Sequence, residues 1–364
     1  MERVQLDTLS LGDFRNIRRA EIQPGSRFNI FGGDNGMGKT NVVEAIYLLG
    51  TLRSFRTSVR GEMIRHGCES ARVEGLFVGA AAGIRCEITL TENERRLRVD
   101  SKSRRPDGSH FRSLPMVLFH PGNLDLVQGG PQARRRLLDR ALFQAEGAYP
   151  DVLSDYNRAL RSRNRLLKDR PLDRRALEPF DRQLAELGAR VCGHRRQIVS
   201  LLEPLFLEAF EEVSGTSRSG LTYRPSVEGD GEEFAATLGE SLKSDIDRGF
   251  TARGPHADDL EVLVDDRAAR RFASQGQQRA AALSLKIAET RALARVTERI
   301  PLLLLDDVSS ELDEIRNARL FDFLAGVGGQ VLITTTNLDT IRVHEDRTDF
   351  SVIDGAISRV TDDR

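Results

Sequence analysis

Residues 33–40, GDNGMGKT, limit how this chain can fold more than any other segment. The segment fits the pattern GxxxxGK followed by Ser or Thr, in which glycines let successive backbone N–H groups turn inward around phosphate groups. A compact apolar run at 28–31 precedes it, and residues 40–49 carry apolar side chains at helical spacing. The sequence therefore predicts a strand, a phosphate-binding loop and a helix in that order, as in an α/β fold.

The residue types in this loop predict a site for ATP and magnesium. We expect Lys39 to reach the β- and γ-phosphates as a catalytic residue, and Thr40 to bind magnesium through its hydroxyl group. The N-terminus of the following helix adds its dipole to the attraction for anions. The predicted nucleotide-binding residues of this segment are Gly33, Asn35, Gly36, Gly38, Lys39, Thr40 and Asn41.

Four leucines followed by two carboxylates, at residues 302–307, form a second candidate element. Such a run is typical of a buried parallel strand whose C-terminal end meets a ligand. We expect Asp306 to hold magnesium, and Asp307 to be catalytic by polarising the water that attacks the γ-phosphate. The alternative is an apolar strand followed by a solvated acidic turn, which the phosphate-binding motif elsewhere in the chain makes less favourable.

A third candidate, residues 274–279 with the sequence SQGQQR, lies at the start of a predicted long helix, 277–297. The hydroxyl group of Ser274 and the first backbone amides can present an anion site at that N-terminus. The alternative is that Ser274 only caps the helix.

Composition favours a globular protein of one large domain or two coupled ones. The 364 residues are 39% hydrophobic and 30% charged. The sequence contains neither a signal-like start nor a run of 18 apolar residues, so the expected location is the cytoplasm and no membrane contact is expected. Three widely spaced cysteines are expected to be reduced packing residues. They are Cys68, Cys86 and Cys192.

The region from 121 to 213 changes character, because apolar residues recur there at helical spacing and runs of β-branched residues are missing. It is predicted to be a helical insert. Pro171, Pro179 and Pro204 interrupt it, and prolines disfavour the unbroken heptads that a long coiled coil needs.

Charge distribution identifies the local basic patches to which DNA would have to bind. The net charge is −1, so the whole molecule has no general attraction for nucleic acid and any binding requires a local patch. Three basic clusters qualify, although arginine clusters are more often solvated faces. The predicted DNA-binding residues are Arg53, Arg56 and Arg60, then Lys102, Arg104 and Arg105, and finally Arg161, Arg163 and Arg165.

These segments resemble the RecF family, DNA-repair members of the SMC-like branch of ABC-type ATPases, and the resemblance runs nearly end to end. Residues 274–279 resemble the ABC signature motif, and residues 309–313, SSELD, resemble the D-loop. Further segments carry the resemblance to RecF, and several of them are specific to that family. They are FRN at 14–16, NGMGKTN at 35–41 with EAI at 44–46, SFRT at 54–57, GP at 130–131 with RRR at 134–136 and LD at 138–139, GPH at 254–256, and DD at 258–259.

The resemblance implies an α/β fold: an ABC-type ATPase head with a mixed and parallel sheet, and a mainly helical second lobe without a long coiled coil. Lobe I would comprise residues 1–115 with 256–364, and lobe II residues 116–255. The resemblance also implies a homodimer formed on ATP binding, in which the signature motif of one subunit closes over the nucleotide of the other. In that arrangement Ser274 would be catalytic and, with Gly276 and Gln277, would contact the nucleotide.

In function, the resemblance implies a weak DNA-dependent ATPase of recombinational repair. Such a protein binds duplex DNA near single-strand gaps, and slow ATP hydrolysis times its release. Its partners would be double-stranded and gapped DNA, RecR and RecO, and indirectly RecA, which it helps to load. The alternative function is the soluble ATPase subunit of an ABC membrane transporter.

Three positions depart from the pattern or leave a role open. Residues 334–336 are threonines where many ABC ATPases have a histidine near the γ-phosphate, so the fourth catalytic element is in doubt. The glutamine of an ABC Q-loop has no clear counterpart, because the turn 120–123 occupies its expected position. His256 suits either a catalytic role or a structural one. Its position between Pro255 and nearby carboxylates favours the structural role.

Overall fold

The computed structural model describes residues 1–79, 83–103, 108–169, 173–215, 218–308 and 312–360. Within these ranges the strands are β1 (Glu2–Arg3), β2 (Gln5–Phe14), β3 (Ile17–Ile22), β4 (Phe28–Gly32), β5 (Ser70–Val78), β6 (Ile84–Thr91), β7 (Arg95–Val99), β8 (Lys102–Ser103), β9 (Met116–Phe119), β10 (Ser219–Arg224), β11 (Asp259–Val264), β12 (Arg267–Ala268), β13 (Arg299–Ile300), β14 (Leu302–Asp306), β15 (Val331–Thr335), β16 (Arg347–Ile353) and β17 (Ala356–Arg359). The α-helices are α1 (Lys39–Thr51), α2 (Gly108–Ser113), α3 (Asp125–Gln128), α4 (Pro131–Ala145), α5 (Tyr149–Leu166), α6 (Arg174–Ser214), α7 (Gly231–Arg248), α8 (Ala269–Phe272), α9 (Gln275–Thr297) and α10 (Glu314–Val327).

A mainly parallel sheet lies at the centre of the ATPase region, with the strand order β17-β16-β4-β15-β14-β9 in the described part of the chain. The four strand pairs from β16 to β9 are parallel, and the pair β16-β17 at the other edge is antiparallel. The leucines of β14 are buried, as expected for a parallel strand covered on both faces. The C-terminal ends of β4, β14 and β15 therefore meet at one edge of the sheet.

A second sheet is antiparallel, with the order β3-β2-β5-β6-β7-β8. Buried and more exposed residues alternate along β5, so one face of this sheet is apolar. Helix α1 packs against that face and against the central sheet, because Val42 and Ile46 share a core with Val73 on one side and Leu304 on the other. The helix that follows the phosphate loop is thus held between two sheets.

The helical insert is built around α6, a 41-residue helix. It continues through Pro179 and Pro204, whereas the sequence predicted that these prolines interrupt the region. Apolar residues such as Leu184, Leu202 and Phe206 are buried in a core shared with α4, α5 and α9. Tertiary packing therefore keeps the helix continuous, and α6 packs within the globular body rather than forming a long coiled coil.

A small sheet with the order β10-β11-β12 joins the helical insert to the segment before the signature motif. The two predicted lobe boundaries, 115/116 and 255/256, lie close to paired strands: β9 pairs with β14, and β10 pairs with β11. The division into two lobes stays a prediction, and these pairings identify the strands that a boundary must keep together. Across the described ranges, the structure contains no helix that is both long enough and apolar enough to cross a membrane.

Candidate nucleotide-binding site

The phosphate loop connects β4 to α1 at the C-terminal edge of the central sheet. Gly38 has a φ of 113°, a conformation that glycine adopts without strain. A Cβ atom there would lie 2.7 Å from Oδ1 of Asn16, and one on Gly33 would lie 2.3 Å from the carbonyl oxygen of Val352. Both glycines are required for the close approach of the loop to its neighbours.

Lys39 lies across the loop that precedes it. Its Nζ atom donates hydrogen bonds to the carbonyl oxygens of Gly33, at 2.6 Å, and Asp34, at 2.8 Å. Burial lowers the pKa of Lys39, while the charges of Asp307, Asp306 and Asp34 act in the opposite direction. The ammonium group is thus held inside the loop, close to the two acidic residues that follow β14.

Thr40 and Asp306 meet directly although they are 266 positions apart in the chain. The hydroxyl group of Thr40 donates to Oδ1 of Asp306 at 2.7 Å, and Thr334 donates to the same oxygen at 2.8 Å. Burial raises the pKa of Asp306, and these two hydrogen bonds oppose the rise. A hydroxyl and a carboxylate oxygen in contact beside the phosphate loop fit the oxygen donor set that magnesium prefers.

The backbone of Asp307 is fixed in an unusual conformation. Its φ is 49°, and its N–H group faces both the carbonyl oxygen and the hydroxyl oxygen of Thr334, at 3.2 and 3.1 Å. Thr334 therefore organises both carboxylate residues. In the sequence, residues 334–336 were notable only because they depart from the histidine pattern. The role of Thr334 could have been inferred from its position near the end of β15, which is parallel to β14.

The side chain of Glu44, on α1, had no role assigned from the sequence beyond the family match at 44–46. Glu44 is fully buried and accepts two hydrogen bonds from Arg15, at 2.9 and 2.7 Å. Arg56 donates to Glu44 at 3.2 Å and to Asn41 at 2.7 Å, and Ser54 also donates to Glu44. The FRN and SFRT segments thus meet on the helix that follows the phosphate loop.

Asn16, the last residue of the FRN segment, contacts the loop itself. Its Nδ2 atom donates to the carbonyl oxygen of Met37 at 3.1 Å, and its Oδ1 atom accepts from Asn41 at 2.7 Å. This segment therefore braces the phosphate loop from outside. The signal in the sequence was the family match at 14–16, which carried no assigned role.

The signature segment forms the start of α9. Ser274 is exposed, and its Oγ atom accepts from the backbone N–H of Gln277 at 3.2 Å, while Oε1 of Gln277 accepts from the N–H of Ser274 at 2.9 Å. A Cβ atom on Gly276 would lie 2.9 Å from Nη2 of Arg316, which is on α10. In the part of the chain that the structure describes, the hydrogen bonds of Ser274 stay within its own turn.

The predicted D-loop is only partly visible. Its first three residues, 309–311, lie outside the described residues. Asp313 caps α10 by accepting a hydrogen bond from the backbone N–H of Arg316 at 3.0 Å. The contact of Arg316 with Gly276 therefore joins the end of the D-loop to the signature segment.

Arg163, one of the predicted DNA contacts, is wrongly assigned. Its side chain is 0% exposed and pairs with Asp245 at 2.7 Å and Asp181 at 2.6 Å. It also donates to the hydroxyl group of Thr251. A guanidinium group that is fully buried among carboxylates cannot reach DNA, so Arg163 ties α5 to α6 and α7.

The remaining candidates for DNA contact differ in their surroundings. Arg56 is paired with Glu44 beside the phosphate loop, so its position links it to the nucleotide site. Arg60 donates to two backbone carbonyl oxygens. Arg104 and Arg105 lie outside the described residues. The candidates with exposed side chains in the described ranges are Arg53, Arg56, Arg60, Lys102, Arg161 and Arg165.

His256 has structural partners on both ring nitrogens. Nδ1 lies 2.6 Å from the hydroxyl oxygen of Tyr156, and Nε2 lies 2.9 Å from the carbonyl oxygen of Thr251. Burial lowers the pKa of His256, which favours the neutral ring. These contacts agree with the structural alternative for His256.

The central sheet with its phosphate loop, the antiparallel sheet and the helical region together define an ABC-type P-loop ATPase head of the SMC-like branch. The family model described as RecF/RecN/SMC N terminal domain matches residues 5–357. A solved Smc head domain from Pyrococcus furiosus, with an extended coiled coil, aligns with a TM-score of 0.57 at 17% identity, over 98% of this chain and 96% of that chain. That likeness shows the fold.

Closer relatives narrow the class. The DNA replication and repair protein RecF of Myxococcus xanthus is 41% identical over 351 residues, which cover 93% of this chain and 92% of that protein. A solved structure of the recombination mediator protein RecF with ATP aligns with a TM-score of 0.91 at 30% identity, over 99% of this chain and 98% of that chain. The chain belongs to the RecF family.

Proposed function

We propose that this chain is an ATPase that pairs with a second copy of itself on binding ATP and magnesium, and that the pair holds duplex DNA near single-strand gaps. The observation that carries the proposal is the contact between Thr40 and Asp306 beside Lys39. A related protein whose structure is described as RecF with ATP supports the choice of nucleotide.

The proposed catalytic step uses residues of the loop and of the acidic strand. Lys39 holds the β- and γ-phosphates, and Thr40 with Asp306 holds magnesium, which supplies positive charge against the phosphate oxygens. Asp307, whose backbone Thr334 fixes, accepts the hydrogen bond that orients the attacking water. No residue of this chain is assigned to the role of the glutamine in an ABC Q-loop.

The proposed pairing uses the face that carries the signature segment. Ser274 and the first amides of α9 are accessible there, and a helix N-terminus attracts anions. Two exposed apolar side chains accompany this segment. Phe272, two residues before Ser274, is 63% exposed, and Ile315, next to Arg316 in the sequence, is 72% exposed. An exposed anion site flanked by apolar side chains suits a second copy that carries bound ATP.

The DNA-binding part of the proposal rests on exposed basic residues and on the family. Lys102, Arg161 and Arg165 are available for phosphate contacts. The relatives are named as DNA replication and repair proteins, and one solved relative is described as part of a RecFOR pathway. We propose RecR and RecO as partners, RecA loading as the outcome, slow DNA-dependent hydrolysis as the timer of release, and the cytoplasm as the location.

The alternative, an ATPase subunit of a membrane transporter, has weaker support. The Myxococcus xanthus relative is named a DNA replication and repair protein, and a basic helical insert does not resemble an apolar docking groove. The two-lobe division, residues 1–115 with 256–364 and residues 116–255, is part of the proposal, with the strand pairings β9-β14 and β10-β11 kept intact.

Light scattering on the purified full chain tests the pairing. We expect the mass to double on addition of ATP and magnesium, and gapped DNA to be retained by the heavier species. Ser274→Arg is expected to keep ATP binding and lose the mass increase, because a bulky cation replaces the cap that faces the partner's nucleotide. Ser200→Arg, on the exposed side of α6, is the matched control and should still pair. Dimers of Ser274→Arg at the same ATP concentration would contradict the proposal.

A further inference from the structure

A cleft of about 650 Å³ lies between the second half of α1, the loop that follows it and helix α4. Leu48 and Leu52 form part of its wall, and Asp125 and Asp139 are the carboxylates that line it. Arginines dominate the lining. They are Arg53, Arg56, Arg60, Arg95, Arg136 and Arg140.

The positive charge of this arginine cleft is poorly balanced. Among the residues that the structure describes, Arg56 alone of the six forms an ion pair within 4.0 Å. Arg60 and Arg95 donate to backbone carbonyl oxygens instead, and Arg53 stacks over the ring of Phe143 at 5.6 Å. By contrast, the fully buried Arg163 is paired with Asp245 at 2.7 Å.

Arg140 is compensated, because Tyr47, Glu289 and Asp139 raise its pKa against the opposing effect of burial. The two carboxylates of the lining do not offset the charge of all the other arginines. Asp139 is already engaged, because it accepts hydrogen bonds from Tyr149 at 2.6 Å and Arg195 at 2.8 Å. Burial lowers the pKa of Arg95, and the charges of Arg53 and Arg60 lower it further. Several guanidinium groups therefore share a small volume, which is an arrangement that an anion stabilises.

The size and the other lining residues restrict the kind of anion. A volume of about 650 Å³ falls within the range of small-ligand sites and is too small for a duplex. Phe55, which is partly exposed, also lines the cleft, and an aromatic side chain provides a surface on which a base can stack. Phosphate-binding arginines beside an aromatic ring fit one nucleotide.

We propose that the arginine cleft is a second phosphate-binding site, distinct from loop 33–40, which takes the phosphate group of a single nucleotide. The nucleotide is either free or the terminal unit of a DNA strand. Arg56 lines the cleft and also donates to Asn41 in the first turn of α1 at 2.7 Å. Occupation of the cleft is therefore linked to the phosphate loop through this arginine.

Fluorescence anisotropy of a thymidine trinucleotide with a 5′-phosphate and a 3′-fluorophore tests the site without ATP or a dimer. Its outcome is thus separate from that of the pairing proposal. The double variant Arg53→Gln with Arg136→Gln removes two exposed cations that have no carboxylate partner within ion-pair distance in the described ranges. We expect it to weaken binding by at least about tenfold. The matched control, Arg182→Gln with Arg190→Gln, changes two exposed arginines of α6 and should bind as the wild type does.

Further binding measurements identify which form of the nucleotide occupies the arginine cleft. The Lys39→Ala variant should bind the trinucleotide with unchanged affinity, because that lysine serves loop 33–40. Equal affinity for dTMP indicates a free nucleotide, and tighter binding of the trinucleotide indicates a strand end. The proposal is overturned if the wild type does not bind either probe, or if a trinucleotide with a 5′-hydroxyl group binds as tightly as the one with a 5′-phosphate. It is also overturned if the double variant Arg53→Gln with Arg136→Gln binds as the wild type does, or if Lys39→Ala abolishes binding. Thermal unfolding of each variant verifies that it is folded.

Discussion

Asp307→Asn is expected to lower ATP turnover by roughly 100-fold or more while ATP binding persists. The amide keeps the size of the side chain and the left-handed backbone, which asparagine tolerates. It removes the carboxylate charge that we propose orients the attacking water. If hydrolysis separates the pair, as proposed, ATP-bound dimers should accumulate. Steady-state phosphate release and sedimentation with ATP measure the two effects.

Asp339→Asn is the control for this change, since Asp339 is exposed in the turn that follows β15. It should leave turnover within about twofold of the wild type. If Asp307→Asn hydrolyses ATP at the normal rate, or sediments as a monomer with ATP, Asp307 has no role in the hydrolytic step.

Glu44→Ala is expected to destabilise the folded chain by about 3 kcal/mol. Glu44 is 0% exposed and compensates Arg15, which is 15% exposed, and in part Arg56. Removing the carboxylate leaves Arg15 largely buried without its partner and releases the contact between Arg56 and the first turn of α1. Urea unfolding followed by circular dichroism measures the change in free energy.

Glu69→Ala provides the comparison, because Glu69 is exposed in the loop before β5. Its effect should stay within about 0.5 kcal/mol. An equal loss of stability in both variants, or none in Glu44→Ala, would show that the charge cluster does not support the phosphate loop.

Local patterns predicted the nucleotide-binding half of the molecule well. The run at 28–31 is part of β4, the leucines at 302–305 lie in β14, and the helix expected at 277–297 is α9, which begins two residues earlier. These elements are short-range consequences of hydrophobic periodicity and of helix caps, so the sequence alone carries them. The ABC-type fold and the RecF family were also predicted, and both are confirmed.

What local patterns could not provide are contacts between distant parts of the chain. Arg163 resembled a surface cation, but Asp245, which is 82 positions away, holds it in the interior. Thr334 and Glu44 acquire their roles only when β14, β15 and α1 are packed together. Pro179 and Pro204 do not end α6, because packing against the surrounding helices stabilises this helix by more than each proline destabilises it.

Mixing two inactive variants tests most directly whether the nucleotide site is shared between two copies. Lys39→Ala lacks a working phosphate loop, and Ser274→Arg lacks a working signature segment, so each alone should be inactive. A mixed pair joins the loop of one chain to the signature segment of the other and regains one complete site. Because neither variant is expected to pair with itself on ATP binding, the pairs that form are mixed, and we expect ATP turnover to recover to at most about half of the wild-type rate. No recovery in a mixture shown to contain mixed pairs would contradict a site built from two chains.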